Sequence, residues 1–218
     1  MDAQVLSLMF DDLETQGWSA RSGLFPAPLC SALYREALER REAADFRAAR
    51  IGQGAARLEV NAMRGDEIAW IEAGQGTSAG ADFLAEIDIL RSALSAHFFL
   101  SLNAYEAHFA CYEAGRFYLK HLDRFQRNQD RELSTVLFLN PEWTHDDGGA
   151  LILYDPQEND RIIAEITPTL GTFVLFRSGD FPHEVRAPQR SRYSIAGWLK
   201  RTEAWRAAID GLMSDASP

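Results

Sequence analysis

Apolar residues recur at helical spacing through the first hundred positions and in short, turn-bounded runs after that. Val5, Leu6, Met9, Phe10 and Leu13 form one stripe that stops at Gly17, which predicts a first helix. A second begins near Pro28, with Leu29, Leu33 and Leu38 on its apolar side and the charges of REALERREAADF on a solvated face. A third spans about Asp82 to His97 and turns Phe83, Ile87, Leu90 and Leu94 inward, while His97, Phe98 and Phe99 are expected to pack at its end. Between these two helices, LEVNAM and EIAWIE predict a hairpin near 58–72 around the turn at Arg64, Gly65 and Asp66.

After Leu100 the period shortens to that of strands. Eight runs follow: Tyr105–Tyr112, Arg116–Asp123, Ser134–Asn140, Ala150–Asp155, Arg161–Thr167, Gly171–Phe176, His183–Arg186 and Arg192–Trp198. Turn residues separate several of them, as at Asp147-Gly-Gly149 and Ser178-Gly-Asp180. Eight antiparallel strands make a jelly roll. The expected fold is therefore mainly β with flanking helices: an N-terminal helical support over 1–100, a jelly-roll core over 101–200, and a C-terminal helix over 201–218 with Trp205, Ile209 and Leu212 facing the body. No linker or repeat divides the chain, which predicts a single structural unit.

Composition narrows the choice of partners. The 218 residues are 46% hydrophobic and 25% charged, enough for a sizeable core, and a net charge of −10 argues against nucleic acid or an anionic membrane surface. The two cysteines, Cys30 and Cys111, form no CxxC or disulfide framework and suit a reducing compartment. The first residues carry acids where a secretory signal would carry positive charge, and no apolar run reaches membrane-span length, so a cytoplasmic location without membrane contact is expected.

Two His-x-Asp pairs are candidates for metal chemistry, His121 with Asp123 and His145 with Asp147. On a strand, side chains at i and i+2 leave the same face and can converge on one ion. With His183, such a pair completes the two-histidine, one-carboxylate set that holds non-haem Fe(II) and leaves three positions open. Arg192 follows nine residues later, and a hairpin folded about Ala187-Pro188 would set position 183 opposite position 192, with the guanidinium on the metal side to take a carboxylate. Arg190 and Arg201 are read as surface arginines. His108 shares a strand face with Tyr112 and so can approach the same region, but it is read as a packed core histidine.

The motifs RGDEIAWIE, ACYEAGRFYLKHLDRF, LFLN followed by GGALILY, and PHEV followed by RYSIAGW occur here in order. On them the chain resembles the Fe(II)- and 2-oxoglutarate-dependent dioxygenases, within them the prolyl hydroxylases of the oxygen-sensing type, and especially their bacterial relatives. The resemblance implies a double-stranded β-helix, with Fe(II) held by His121, Asp123 and His183, the distal carboxylate of 2-oxoglutarate held by Arg192, and Tyr112 helping to hold the same cosubstrate. It implies O₂ as the oxidant, ascorbate as a stimulant, and Arg64, Asp66, Trp70 and Trp198 as substrate-side residues. Phe138 stands where animal relatives have a tyrosine hydroxyl, which removes one hydrogen bond to the cosubstrate.

The implied reaction converts a prolyl residue of a protein to hydroxyproline, with succinate and CO₂ as co-products. Some bacterial relatives act on elongation factor Tu, which makes that protein the first substrate to test. The alternatives are a cupin-type metal dioxygenase that uses no keto acid, and a non-catalytic sensor or interaction module on the same fold. Arg192 separates the first alternative from the leading reading, and the complete triad counts against the second. In a double-stranded β-helix the His-x-Asp pair lies on the second strand and the distal histidine on the seventh. Four runs separate His121 from His183 but only three separate His145 from it, so the latter pair is expected in a solvated turn.

Overall fold

The structure of the chain is a computed structural model that describes residues 1–49, 64–72, 78–124, 129–158 and 160–202. Among the described residues, three α-helices and eleven strands follow one another as α1 (Ala3–Gln16), β1 (Trp18–Ser22), α2 (Ala27–Glu42), β2 (Arg47–Ala48), β3 (Glu67–Ile71), α3 (Ser78–His97), β4 (Ala104–Tyr112), β5 (Tyr118–His121), β6 (Arg131–Phe138), β7 (Leu151–Tyr154), β8 (Ile162–Ile166), β9 (Thr172–Arg177), β10 (His183–Val185) and β11 (Arg192–Lys200).

Local chemistry sets the helix ends. The Asp2 carboxylate accepts from the backbone N–H groups of Gln4 and Val5, both at 2.9 Å, and Gly17 closes α1 at φ 79°. Glu36, buried on α2, accepts from the Gly80 N–H at 2.9 Å and so places a carboxylate at the start of α3. The predicted inner stripe of α3 is buried at Phe83, Ile87, Leu90 and Leu94. Phe98 packs against the core, but Phe99 does not as expected: the backbone turns to φ 54° there and leaves the ring 94% exposed.

All eight runs predicted after Leu100 form strands. They close two antiparallel sheets, a large one in the order β1-β9-β6-β11-β4-β3-β2 and a small one in the order β5-β10-β7-β8. The alternation of side chains assigns each face of the large sheet. Phe109, Leu137, Phe173 and Ile195 pack against Met9, Leu33, Phe83 and Leu90 of the helices. Their neighbours Ala110, Phe138, Val174 and Phe176 face the other way and meet Leu151, Leu153, Ile166 and Val185 around the small sheet. Burial on both faces is why these strands read as continuous apolar runs.

Two further local expectations change, and two others fall partly or largely outside the described residues. β1, with Ser19, Arg21 and Ser22 among its five residues, lacks a strand pattern, yet it pairs with β9 and is tied to α1 by an Arg21–Asp12 ion pair at 2.7 Å. Of the hairpin near 58–72, the strand Glu67–Ile71 is present and pairs with β4 and β2, while 58–63 lie outside the described residues. Most of the C-terminal helix, including Trp205, Ile209 and Leu212, also falls outside them.

The second change concerns the segment between His183 and Arg192, which is not a hairpin. β10 lies between β5 and β7 in the small sheet, and β11 lies between β4 and β6 in the large one. The connecting chain pairs with other loops instead of with itself. Ala187 O accepts from Gly149 N–H at 3.3 Å, Pro188 O from Gly115 N–H at 2.9 Å, and Gln189 N–H donates to Asp147 O at 2.7 Å. Among the described residues no helix is long and apolar enough to cross a membrane.

Candidate active site

Between the sheets lies a cavity of about 440 Å³, and the candidate residues gather on its walls. β5 and β10 are adjacent antiparallel strands in which His121 stands directly opposite His183. Asp123 follows just past the end of β5. One ligand atom from each of the three lies within 4.8 Å of the others, with His121 Nε2 3.7 Å from Asp123 Oδ1 and His183 Nε2 3.5 Å from Asp123 Oδ2.

Each member of the triad is held from behind. His121 Nδ1 lies 2.8 Å from Leu119 O and His183 Nδ1 3.0 Å from Phe181 O, so these nitrogens carry the protons and both Nε2 lone pairs point to the shared centre. Tyr118 stacks on the His121 ring at 3.6 Å. Ser134 donates to Asp123 Oδ2 at 2.7 Å. Burial and the neighbouring His183 push the His121 pKa down to about 3. Burial alone would raise Asp123, but the two imidazoles and Ser134 outweigh it and hold the carboxyl at about 2. A neutral imidazole and an ionised carboxylate are the forms that ligate, so this donor set fits Fe(II) with three positions open.

Arg192 is buried at 1% exposure although it does not face His183 across a hairpin. Its position on β11 directs it into the cavity. Nε donates to Gly149 O at 2.8 Å and Nη1 to Ser194 Oγ at 3.3 Å, which among the described residues leaves three of five N–H groups uncommitted. Among the described residues it has no acidic ion-pair partner, and burial lowers its pKa to about 10. An unpaired buried cation is costly, and an anionic ligand relieves that cost. Tyr112 is its register partner on β4, and the guanidinium lies 5.3 Å from that ring and 4.9 Å from the Phe138 ring.

The loop before β7 explains its glycines here. Gly149 has φ 70°, and a Cβ at that position would lie 3.0 Å from Arg192 Cδ. Only glycine lets this backbone come close enough to accept from Arg192.

The substrate-side residues named from the resemblance line the same cavity. Arg64 and Asp66 form a two-pronged pair at 2.6 and 2.9 Å, with the guanidinium 4.9 Å from the Tyr118 ring. Trp70 is 46% exposed at the mouth, and Trp198 is buried under the Arg131 guanidinium at 3.5 Å. His145 and Asp147 fall outside the cavity in a 3-10 turn. There Asp147 accepts from Thr144 N–H at 2.8 Å and pairs with Arg190 at 2.8 Å, the solvated turn that the strand count predicts. Sequence reasoning missed Ser134 and Ser194; strand parity was the one signal for them.

The family model of the 2OG-Fe(II) oxygenase superfamily matches residues 107–200. Human Egl nine homolog 1 is 28% identical over 144 residues, 62% of this chain and 33% of that protein. The chain thus spans well under half the length of the curated relatives it matches. A prolyl-4-hydroxylase of Pseudomonas putida superposes with a TM-score of 0.79 at 38% identity, over 90% of this chain and 99% of that one. A prolyl hydroxylase of Trichoplax adhaerens, solved with a fragment of the hypoxia inducible factor oxygen degradation domain, superposes at 0.80 with 26% identity over 94% and 92% of the two chains.

Proposed function

The chain belongs to the 2OG-Fe(II) oxygenase superfamily, on its prolyl-hydroxylase side, and from that premise we propose that it hydroxylates a prolyl residue of a protein, elongation factor Tu being the first to test. The observation that carries this reading is Arg192, a buried guanidinium without an acidic ion-pair partner among the described residues, on the wall of the cavity that holds the metal triad. A metal dioxygenase that uses no keto acid has no need of that cation.

When bound, Fe(II) and 2-oxoglutarate supply O₂ activation coupled to oxidative decarboxylation, which delivers one oxygen atom to the substrate and one to succinate. His121, Asp123 and His183 would hold the metal. Arg192, fixed by Gly149 and Ser194, would take the distal carboxylate with its free N–H groups, and Tyr112 would close the pocket beside it. Phe138 offers no hydroxyl, but Ser194, its register partner on β11, presents one at the same level. The apolar walls formed by Ala110, Leu151 and Val185 exclude water. Trp70 at the mouth, with the buried Arg64–Asp66 pair deeper on the same wall, would receive the peptide. Elongation factor Tu is chosen on the resemblance to bacterial relatives.

The test is to incubate purified elongation factor Tu with the enzyme, Fe(II), 2-oxoglutarate and O₂, then measure succinate and map hydroxyproline by mass spectrometry. Succinate coupled to a hydroxylated proline supports the reading. Succinate without a modified proline, on this protein and on a panel of prolyl peptides, overturns it.

A further inference from the structure

His108 is a wall residue of the cavity that the metal and cosubstrate arrangement leaves without a task. On β4, alternate residues Tyr112, Ala110 and His108 line the cavity. Tyr112 lies at the deep end, opposite buried Arg192, whereas His108 is the register partner of Trp70, the half-exposed residue of the mouth. Four residues of strand put these two levels about 13 Å apart. The carbon chain of 2-oxoglutarate spans only roughly 6 Å, so a cosubstrate anchored on Arg192 does not reach His108.

The imidazole is 2% exposed and lies between two indoles, 5.1 Å from Trp70 and 5.5 Å from Trp198. Neither ring nitrogen has a hydrogen-bond partner among the described residues. Burial, with Arg64 and Arg131 nearby, lowers its pKa to about 3, so the ring is neutral and offers one donor and one acceptor. Folded proteins leave few buried polar groups unpaired, and those that remain call for a reason. Packing is not one, because an apolar side chain would fill the space without the cost of two unpaired nitrogens. Around the ring, the small side chains of Ala110 and Ala196 keep the cavity open.

We propose that His108 binds the substrate peptide, its ring nitrogens forming hydrogen bonds with backbone groups next to the target proline and so helping to set which prolines are accepted. A peptide segment carries the complementary pair. The proline contributes a carbonyl but no N–H, and the following residue contributes the N–H. This inference rests on the prolyl hydroxylase reading above and deepens it.

The test compares wild type with His108→Leu, which removes both nitrogens, and His108→Asn, which keeps a donor and an acceptor. Elongation factor Tu is the probe, and a panel of prolyl peptides replaces it if the wild type leaves that protein unmodified. The expected result is that Leu raises the KM for the protein or peptide about ten-fold or more, that Asn recovers most of the loss, and that Fe(II) and 2-oxoglutarate affinities stay within about two-fold in both. A Leu variant with unchanged substrate KM makes His108 a packing residue and overturns the proposal. So does a variant whose 2-oxoglutarate affinity falls as far as its substrate affinity, which indicates a collapsed cavity. If the wild type binds Fe(II) and 2-oxoglutarate but modifies neither the protein nor any peptide, the prolyl hydroxylase reading fails and this inference with it.

Discussion

His121 and His183 stand directly opposite each other on adjacent antiparallel strands of the small sheet, their ring centres 4.2 Å apart. Asp123, just beyond the strand end, joins their shared centre, while Asp147 is tied into an exposed turn by Thr144 and Arg190. Asp123→Ala is therefore expected to lower Fe(II) affinity by about a hundred-fold or more and to abolish turnover, because it removes a ligand from a set of three. Asp147→Ala should leave both within about two-fold of wild type, since it breaks only an exposed pair. Calorimetric Fe(II) or Mn(II) titration of the two variants checks this, and the reverse order of effects would contradict the triad.

Ser134 acts through Asp123. Its hydroxyl donates to the carboxylate and lies 2.8 Å from Ser178 Oγ. Ser134→Ala should weaken metal binding about ten-fold while leaving 2-oxoglutarate affinity on the metal-loaded protein unchanged. Restoration by Ser134→Thr would show that the hydroxyl, and not the local packing, sets the effect.

Gly149→Ala places a Cβ against Arg192 at a φ of 70°. The substitution is expected to cost about 1–2 kcal/mol of stability by denaturant unfolding and to weaken 2-oxoglutarate binding. A variant as stable and as tight as wild type would mean that the Gly149 carbonyl does not position the guanidinium.

The pH dependence follows from two histidines buried in neutral form. His108 and His121 have pKa values near 3 in the folded protein against 6.5 otherwise. Between these limits the unfolded chain binds more protons than the folded one. Stability of the metal-free protein is thus complete above pH 6.5 and falls as the pH drops through that window, by up to about 1.4 kcal/mol per pH unit for each group. Thermal unfolding from pH 7 to 4 should show a falling Tm in wild type and a shallower fall in His108→Leu. Equal slopes would mean that His108 is not buried in neutral form.

What the sequence makes legible is local. Strand identity survives in the runs after Leu100 because alternation and apolarity are properties of a few consecutive residues, and the triad follows from the family resemblance with the strand count in support. Sheet membership is not local. His183 and Arg192, nine positions apart, look like partners in a hairpin, yet they enter different sheets because Ala187, Pro188 and Gln189 pair with loops far away in sequence. β1 escapes notice because Ser19, Arg21 and Ser22 are stabilised by β9 and Asp12, which no pattern within five residues reveals. Ser134 and Ser194 are ordinary strand serines until the fold places them beside Asp123 and Arg192.

The central claim is that one cavity holds Fe(II) on the triad and 2-oxoglutarate on Arg192, and anaerobic titration of 2-oxoglutarate into Fe(II)-loaded protein tests it most directly. Wild type should develop the visible charge-transfer absorption of a metal-chelated keto acid and saturate. In Arg192→Ala the concentration needed should rise about thirty-fold or more, with Fe(II) affinity unchanged, because the variant loses a buried two-pronged partner of the carboxylate but no metal ligand. Equal 2-oxoglutarate affinity in the two proteins, or no absorption in wild type, would contradict the account.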